Sequence, residues 1–253
     1  MVQLKTPEQI EILRENAQLV SKTLAEVGRH IAPGVTTKQL DKVAESFIRD
    51  NGAVPGFLGY EGFPASLCIS VNDVVVHGIP GSYTLKDGDI VSVDCGTVYK
   101  GFYGDSAYTF GVGELDEPTR KLLQTTEESL RLGASLAVEG NRVGDIGHAI
   151  QSYCESRGFS VVRELVGHGI GRNMHEDPMV PNYGKAGTGK RLKVGMVLCI
   201  EPMINAGKKE VYQGSDGWKI ATADGSKSAH FEFTVAVGKE KADILTTFDY
   251  IKN

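Results

Sequence analysis

The chain has 253 residues, 41% of them hydrophobic and 23% charged, with a formal net charge of −5. That is enough apolar material for one large core or two small ones, and so mild an acidic excess argues against nucleic acid or an anionic membrane as a partner. No apolar run is long enough to span a bilayer and no signal-peptide core precedes the first helix pattern, so a cytoplasmic protein is expected.

The first predicted helix is announced by a capping-box pattern, Thr6 with Gln9, and by Pro7 at its first position. Ile10, Leu13, Ala17, Val20, Leu24, Val27 and Ile31 follow at three- and four-residue spacing. A second helix begins around Thr36-Thr37, carries Leu40, Val43, Ala44, Phe47 and Ile48 on one face, and stops at Gly52. Further on, Ile90-Val91-Ser92-Val93 and Ser106-Ala107-Tyr108-Thr109-Phe110 read as strands about a turn near Tyr99-Lys100-Gly101. A hairpin centred between Tyr99 and Lys100 sets Asp94 directly against Asp105. Opposed like charges destabilise a sheet. Either one carboxylate stays protonated, or a cation lies between them, or the strands take another register, or both acids sit on a wet face.

The second half repeats the first. Shifted by 106 positions, residues 32–53 lie over residues 138–159, matching Gly34 with Gly140, Leu40 with Ile146, Phe47 with Tyr153 and Gly52 with Gly158. Shifted by 107, LKDGDIVSVDC lies over LKVGMVLCIEP, matching Asp94 with Glu201. So long a period points to two similar halves in one fold rather than a stacked solenoid. Related halves pack about a pseudo-twofold axis, which brings Asp94 and Glu201 together.

Between these landmarks, VGHGIGRNMHEDP offers His168 and His175 after an apolar strand pattern. GKAGTGKR, residues 184–191, nearly spells a phosphate-binding loop, but Arg191 stands at the Ser/Thr position and no apolar strand precedes it, so an exposed mobile loop is expected. Glu232 lies in the alternating strand HFEFTVAV, sharing a side with His230 and Thr234. Pairing Glu201 with Glu232 centres a hairpin on Asp216-Gly217, a strong two-residue turn, although Gly207, Gly214 and Asp224-Gly225-Ser226 argue against one regular ribbon. The four cysteines, Cys68, Cys95, Cys154 and Cys199, form no Cys-x-x-Cys pair and read as reduced thiols.

Asp94, Asp105, Glu201 and Glu232 converging on one axis would repel strongly unless neutralised. A carboxylate-rich set with one imidazole suits Mn, Fe, Co or Zn ions. Four acids and one histidine are too many for a single open catalytic zinc, yet they suit two ions with two carboxylates bridging.

VHGIP (76–80), DCGTVYKGFYGDSAYTF (94–110), GHGIGRNMHEDP (167–178), IEPMINAG (200–207) and the stretch from DGWKIAT to HFEFTV (216–235) resemble type I methionine aminopeptidases, in order and over nearly the whole chain. The resemblance implies the α/β (α+β) pita-bread fold, with one catalytic domain spanning 1–253 and duplicated halves at about 1–115 and 116–253. It implies hydrolytic removal of N-terminal methionine from nascent chains near the ribosome, by water held between two divalent ions (Co, Mn, Fe or Zn) in a monomer. By resemblance the ligands are Asp94, Asp105, His168, Glu201 and Glu232, with Asp105 and Glu232 bridging. His77 and His175 would contact the scissile amide, and Glu201 would also shuttle a proton.

The methionine pocket would use Tyr60, Cys68 and Trp218, with Phe57, Phe63 and Met174. A hairpin centred on Asn72-Asp73 sets Cys68 opposite His77, and sulfur with aromatic edges suits a thioether. Two positions depart from the family pattern: Met174, where many relatives carry an aromatic residue, and Phe57, where many carry cysteine. Both bear on side-chain preference rather than on the chemistry. Neither the metal-binding N-terminal extension of some eukaryotic forms nor the helical insertion of the type II branch is expected. Two rivals share the fold: a prolidase, which normally adds an N-terminal domain, and a non-catalytic binding protein, which has typically lost ligands.

Overall fold

The computed structural model describes residues 2–252. The first half runs α1 (Pro7–Gly28), α2 (Thr37–Asp50), β1 (Val54–Pro55), β2 (Leu67–Val71), β3 (Val74–Val76), β4 (Ile90–Tyr99) and β5 (Phe102–Gly111). The second begins with α3 (Glu117–Ser135), α4 (Val143–Glu155), β6 (Ser160–Val161), β7 (Gly167–Gly169), β8 (Glu176–Val180) and β9 (Val197–Ile200). It continues through β10 (Met203–Asn205), β11 (Val211–Gln213), β12 (Ile220–Thr222), β13 (Ser228–His230), β14 (Phe233–Ala236), β15 (Asp243–Ile244) and α5 (Asp249–Lys252).

The predicted capping box of Thr6 with Gln9 forms on α1, and the start expected near Thr36-Thr37 carries a second one, Thr36 with Gln39 on α2, each satisfying backbone N–H groups that a helix start leaves free. The apolar pattern of the first helix extends to Ile31, but the helix ends at Gly28, after which His30 N–H bonds Val27 O and Ile31 N–H bonds Gly28 O in tighter turns. The repeat is physical: α4 starts 106 positions after α2, and β9 starts 107 positions after β4. Helices of each half pack on that half's sheet, and Leu13 and Ala17 of α1 also pack with Val197 and Ala236 of the second half. In the first, Leu40, Ala44 and Ile48 of α2 pack with Leu67, Val91 and Val93. In the second, Leu122 and Leu130 of α3 and Ile146 and Ile150 of α4 pack with Leu198 and Val235. Tyr108 touches both cores, its ring 4.9 Å from Phe231 and 4.8 Å from Phe248.

Two registers differ from expectation. In the β4–β5 hairpin Asp94 pairs with Ala107 and Asp105 with Gly96, so the two acids are diagonal rather than opposed. The cause is the turn: Lys100 and Gly101 both take positive φ, 48° and 76°, as a two-residue hairpin turn of matching twist requires, and this moves its centre one residue along. Moving the centre a whole residue preserves the alternation of sides, so both acids still face the same way. Cys68 and His77 are likewise not ladder partners. β2 pairs with β4, whereas β3 pairs with β12 in another sheet, and the bond between the two arms is Ile69 N–H to Gly78 O at 2.8 Å.

The ribbon that the glycines argued against does exist, in three segments. β9–β14, β10–β13 and β11–β12 are all antiparallel pairs centred on Asp216-Gly217, although they belong to three different sheets. Equal numbers of residues separate the segments on both arms, so Glu201 and Glu232 come level just beyond the end of the β9–β14 ladder.

β5 and the strands around Glu232 meet at the seam between the halves through buried hydroxyls. Ser106 Oγ donates to Glu232 O at 2.6 Å, Thr234 Oγ1 to Asp105 O at 2.7 Å, and Glu232 N–H to Ala107 O at 2.9 Å. Thr109 Oγ1 donates to His230 O at 2.7 Å and accepts from His230 N–H at 3.0 Å. Thr109→Val would strand two buried backbone groups, and it is expected to lower the unfolding free energy of the metal-free protein by about 1–3 kcal/mol in urea titration. An unchanged midpoint and slope would show that the seam does not depend on this hydroxyl.

Candidate metal and substrate site

The seam supplies the acids. Asp94 lies on β4, Asp105 on β5, and His168 on β7 opposite Cys199 of β9; Glu201 follows β9, and Glu232 sits between β13 and β14. Cys68 on β2 pairs with Asp94, placing a thiol beside the carboxylates. Gly96, opposite Asp105, is required by close approach: a Cβ there would lie 2.4 Å from the Phe57 ring. All thirteen residues predicted for metal, amide and side-chain roles line one cavity of ≈ 140 Å³. Within it Phe57, Phe63, Cys68 and Met174 form one apolar cluster with Tyr60 and Trp218 against it, and the Phe63 and Trp218 rings meet edge to face at 5.1 Å. Whether each residue plays its expected part is a question of chemistry, beginning with the acids.

Asp105 is 4% exposed and Glu232 2%. Asp94 Oδ1, Asp105 Oδ1 and Glu232 Oε1 are buried with no hydrogen-bond partner. Burial pushes the Asp94 carboxyl up to about 6, against the lowering influence of His230 and Asp105. Burial, then Glu232 and Asp94, raise Asp105 well above its usual range. Glu201 is raised by burial and by Asp94, and Glu232 by burial, Glu201 and Asp94. Orphaned buried oxygens on mutually repelling acids fit one kind of guest, a cation.

His168 is set up to share it. Its Nδ1 lies 2.9 Å from Gly169 O, and a carbonyl can only accept, so Nδ1 carries the proton and Nε2 presents its lone pair. That Nε2 faces Asp105 Oδ2 at 3.9 Å and Glu201 Oε1 at 3.6 Å. Burial, with His175 nearby, pulls the imidazole down to about 4, so it is neutral at pH 7 as a metal ligand must be. Ligand atoms of Asp105, His168, Cys199 and Glu232 all lie within 4.8 Å of one another.

His77 and His175 are also neutral, His77 pulled down to about 4 by burial and by the imidazoles of His230 and His175, and His175 lowered by burial. His77 holds φ at 59°, a left-handed backbone that a non-glycine residue rarely adopts. His175 Nδ1 lies 3.0 Å from Tyr60 OH, and its ring meets that of His168 at 4.5 Å.

Three lining or neighbouring groups were not singled out as site residues. Cys199 stands two residues before Glu201 and so on the same side of the chain, a signal available from alternation. Burial and the acids around it raise its thiol well above the usual range, so it faces the acids as S–H. His230 shares the side of Glu232 by the same alternation and lies 3.5 Å from Glu201 Oε2. Glu61 lines the cavity with φ of 48°, in a turn flanked by Gly59 and Gly62. The loop at 184–191 is mainly exposed, and its Lys190 and Thr188 carbonyls accept the first N–H groups of α4. Carbonyl oxygens at that helix start exclude a phosphate there.

Residues 11–239 match the model of metallopeptidase family M24. The chain is 52% identical to methionine aminopeptidase 1 of Bacillus subtilis, over 97% of this chain and 99% of that one. It is also 52% identical to a methionine aminopeptidase of Clostridium perfringens, again over 97% and 99% of the two chains. The crystal structure of methionine aminopeptidase from Rickettsia prowazekii superposes with a TM-score of 0.96 at 42% identity, covering 98% of this chain and 100% of that one.

The raised acids set the pH dependence. Each is more protonated in the folded, ion-free chain than in the unfolded one, so their penalty is absent below the free carboxylate range near 4 and grows as pH rises through about 6, where Asp94 ionises. Divalent ions offset that penalty. Saturating Mn(II) should therefore raise Tm more at about pH 7.5 than at about pH 5 in differential scanning fluorimetry. Equal shifts at the two pH values would contradict it.

Proposed function

The chain belongs to metallopeptidase family M24 and removes methionine from the N-termini of proteins and peptides, and we propose that Asp94, Asp105, His168, Glu201 and Glu232 hold two divalent ions for that hydrolysis, with Asp105 and Glu232 shared. Its two halves act as one catalytic domain, because the acids come from both. The observation that carries this reading is the set of partnerless buried oxygens on Asp94, Asp105 and Glu232, together with the lone pair of His168 turned toward Asp105 and Glu201. Such ions, when bound, acidify water to a nucleophile at neutral pH, polarise a carbonyl and take up a free α-amino group, which restricts cleavage to the first residue.

The chain's own groups do the rest. Phe57, Phe63, Cys68, Met174, Tyr60 and Trp218 enclose an unbranched thioether, whose burial is worth about 1.5–3 kcal/mol. Tyr60 OH and His175 Nδ1 lie 3.0 Å apart, and with the hydroxyl, kept protonated by burial, as the donor, the imidazole proton sits on Nε2. His175 is thereby a neutral donor for the oxygen that gains negative charge during attack. His77, neutral and held by strained backbone, is placed to bond the scissile amide. Glu201, raised by burial, takes the proton from the attacking water and passes it to the departing amine. Nascent chains are the substrates that present such N-termini, and among the described residues no helix is long and apolar enough to cross a membrane.

With Mn(II) or Co(II), the purified protein should release methionine from Met-Ala-Ser and leave a proline-containing dipeptide intact. Cleavage before proline, or no cleavage, would support the two rival readings. His175→Ala should lower kcat about 100-fold with ion content unchanged. An ion-depleted variant would make His175 a ligand instead.

A further inference from the structure

His230 is 1% exposed, and its Nε2 is buried without a hydrogen-bond partner. Its backbone cannot shift to find one, because Thr109 Oγ1 holds both its N–H and its C=O across the seam. The nearest acid is Glu201, whose carboxylate stands between two imidazoles. Oε1 is 3.6 Å from His168 Nε2, and Oε2 is 3.5 Å from His230 Nε2. The two imidazoles are chemically unequal. His168 directs a lone pair at Glu201, an arrangement that is favourable only with a cation between them. A second lone pair on the opposite side would add repulsion, whereas an N–H there would satisfy the buried nitrogen and spend one Glu201 oxygen.

We propose that His230 is a positioning residue that donates Nε2–H to Glu201 Oε2 and so aims Oε1 at the ion shared with His168. The inference rests on the ligand set proposed above. It assigns the two oxygens of Glu201 different tasks: Oε1 faces the ions and their water, where it also relays the proton, and Oε2 is fixed by an imidazole that is not itself a ligand.

The test is Mn(II) affinity, read from the EPR signal of the free ion during titration of the intact protein. His230→Leu should weaken binding 10- to 100-fold with near-UV circular dichroism preserved. His230→Gln, whose amide N–H can reach the same oxygen, should retain most of the parent affinity. Parent-like binding by His230→Leu, or equal losses in both variants, would overturn the proposal. A wild-type protein that takes up no ion would instead sink the ligand set, and this inference with it. Should His230→Leu not fold, 15N NMR of the Zn(II)-loaded wild-type protein decides: a one-bond proton coupling on His230 Nε2 supports the proposal, and an unprotonated Nε2 overturns it.

Discussion

Four carboxylates crowded into one cavity, two buried and two half-buried, cannot all be ionised without a counter-charge, and the rest of the structure follows from meeting that constraint. Two acids come from the β4–β5 hairpin of the first half and two from the strands of the second. Neither half carries the full set. Residues so unfavourable for folding persist where function requires them, and here the strain is electrostatic, stored as protons on acids that ions would displace.

Holding that arrangement demands a seam that does not slide. The hydroxyls of Ser106, Thr109 and Thr234 bond backbone across it, which is stiffer than side-chain packing because each bond fixes the register of a strand against its neighbour. The long ribbon about Asp216-Gly217 has the same effect from the other direction. Its arms keep a single register through three sheets, so Glu201 and Glu232 arrive level although about thirty residues separate them. The proposed pocket and the proposed ion site would share walls: Cys68 pairs with Asp94, and Phe57 fills the space over Gly96 opposite Asp105. In the proposed binding mode a methionine side chain among Phe57, Phe63 and Met174 would therefore lie beside the reacting carbonyl.

Much of this was legible in the sequence, for physical reasons that differ between residues. Capping boxes and helix faces depend on neighbours three or four positions away, and both first-half helices start where expected. The repeat pointed to the convergence of Asp94 and Glu201, because related halves bury related positions near their axis. The Asp94–Asp105 register was one turn residue off, since only backbone dihedrals reveal that Lys100 joins Gly101 in the turn. Cys68 and His77 failed as ladder partners because β3 turns away to pair with β12, a tertiary choice invisible locally. His230 and Cys199 were within reach of strand alternation, but alternation alone does not separate a site residue from one that merely shares its side. Family resemblance, rather than spacing, singled out His77 and His175, and both reach the cavity by irregular backbone.

The most direct test is diffraction from crystals grown with Mn(II), using anomalous scattering to locate the ions. The account predicts two ions about 3.5–4 Å apart, both touching the Asp105 and Glu232 carboxylates. Ions outside the cavity, or bound without these two residues, would contradict it.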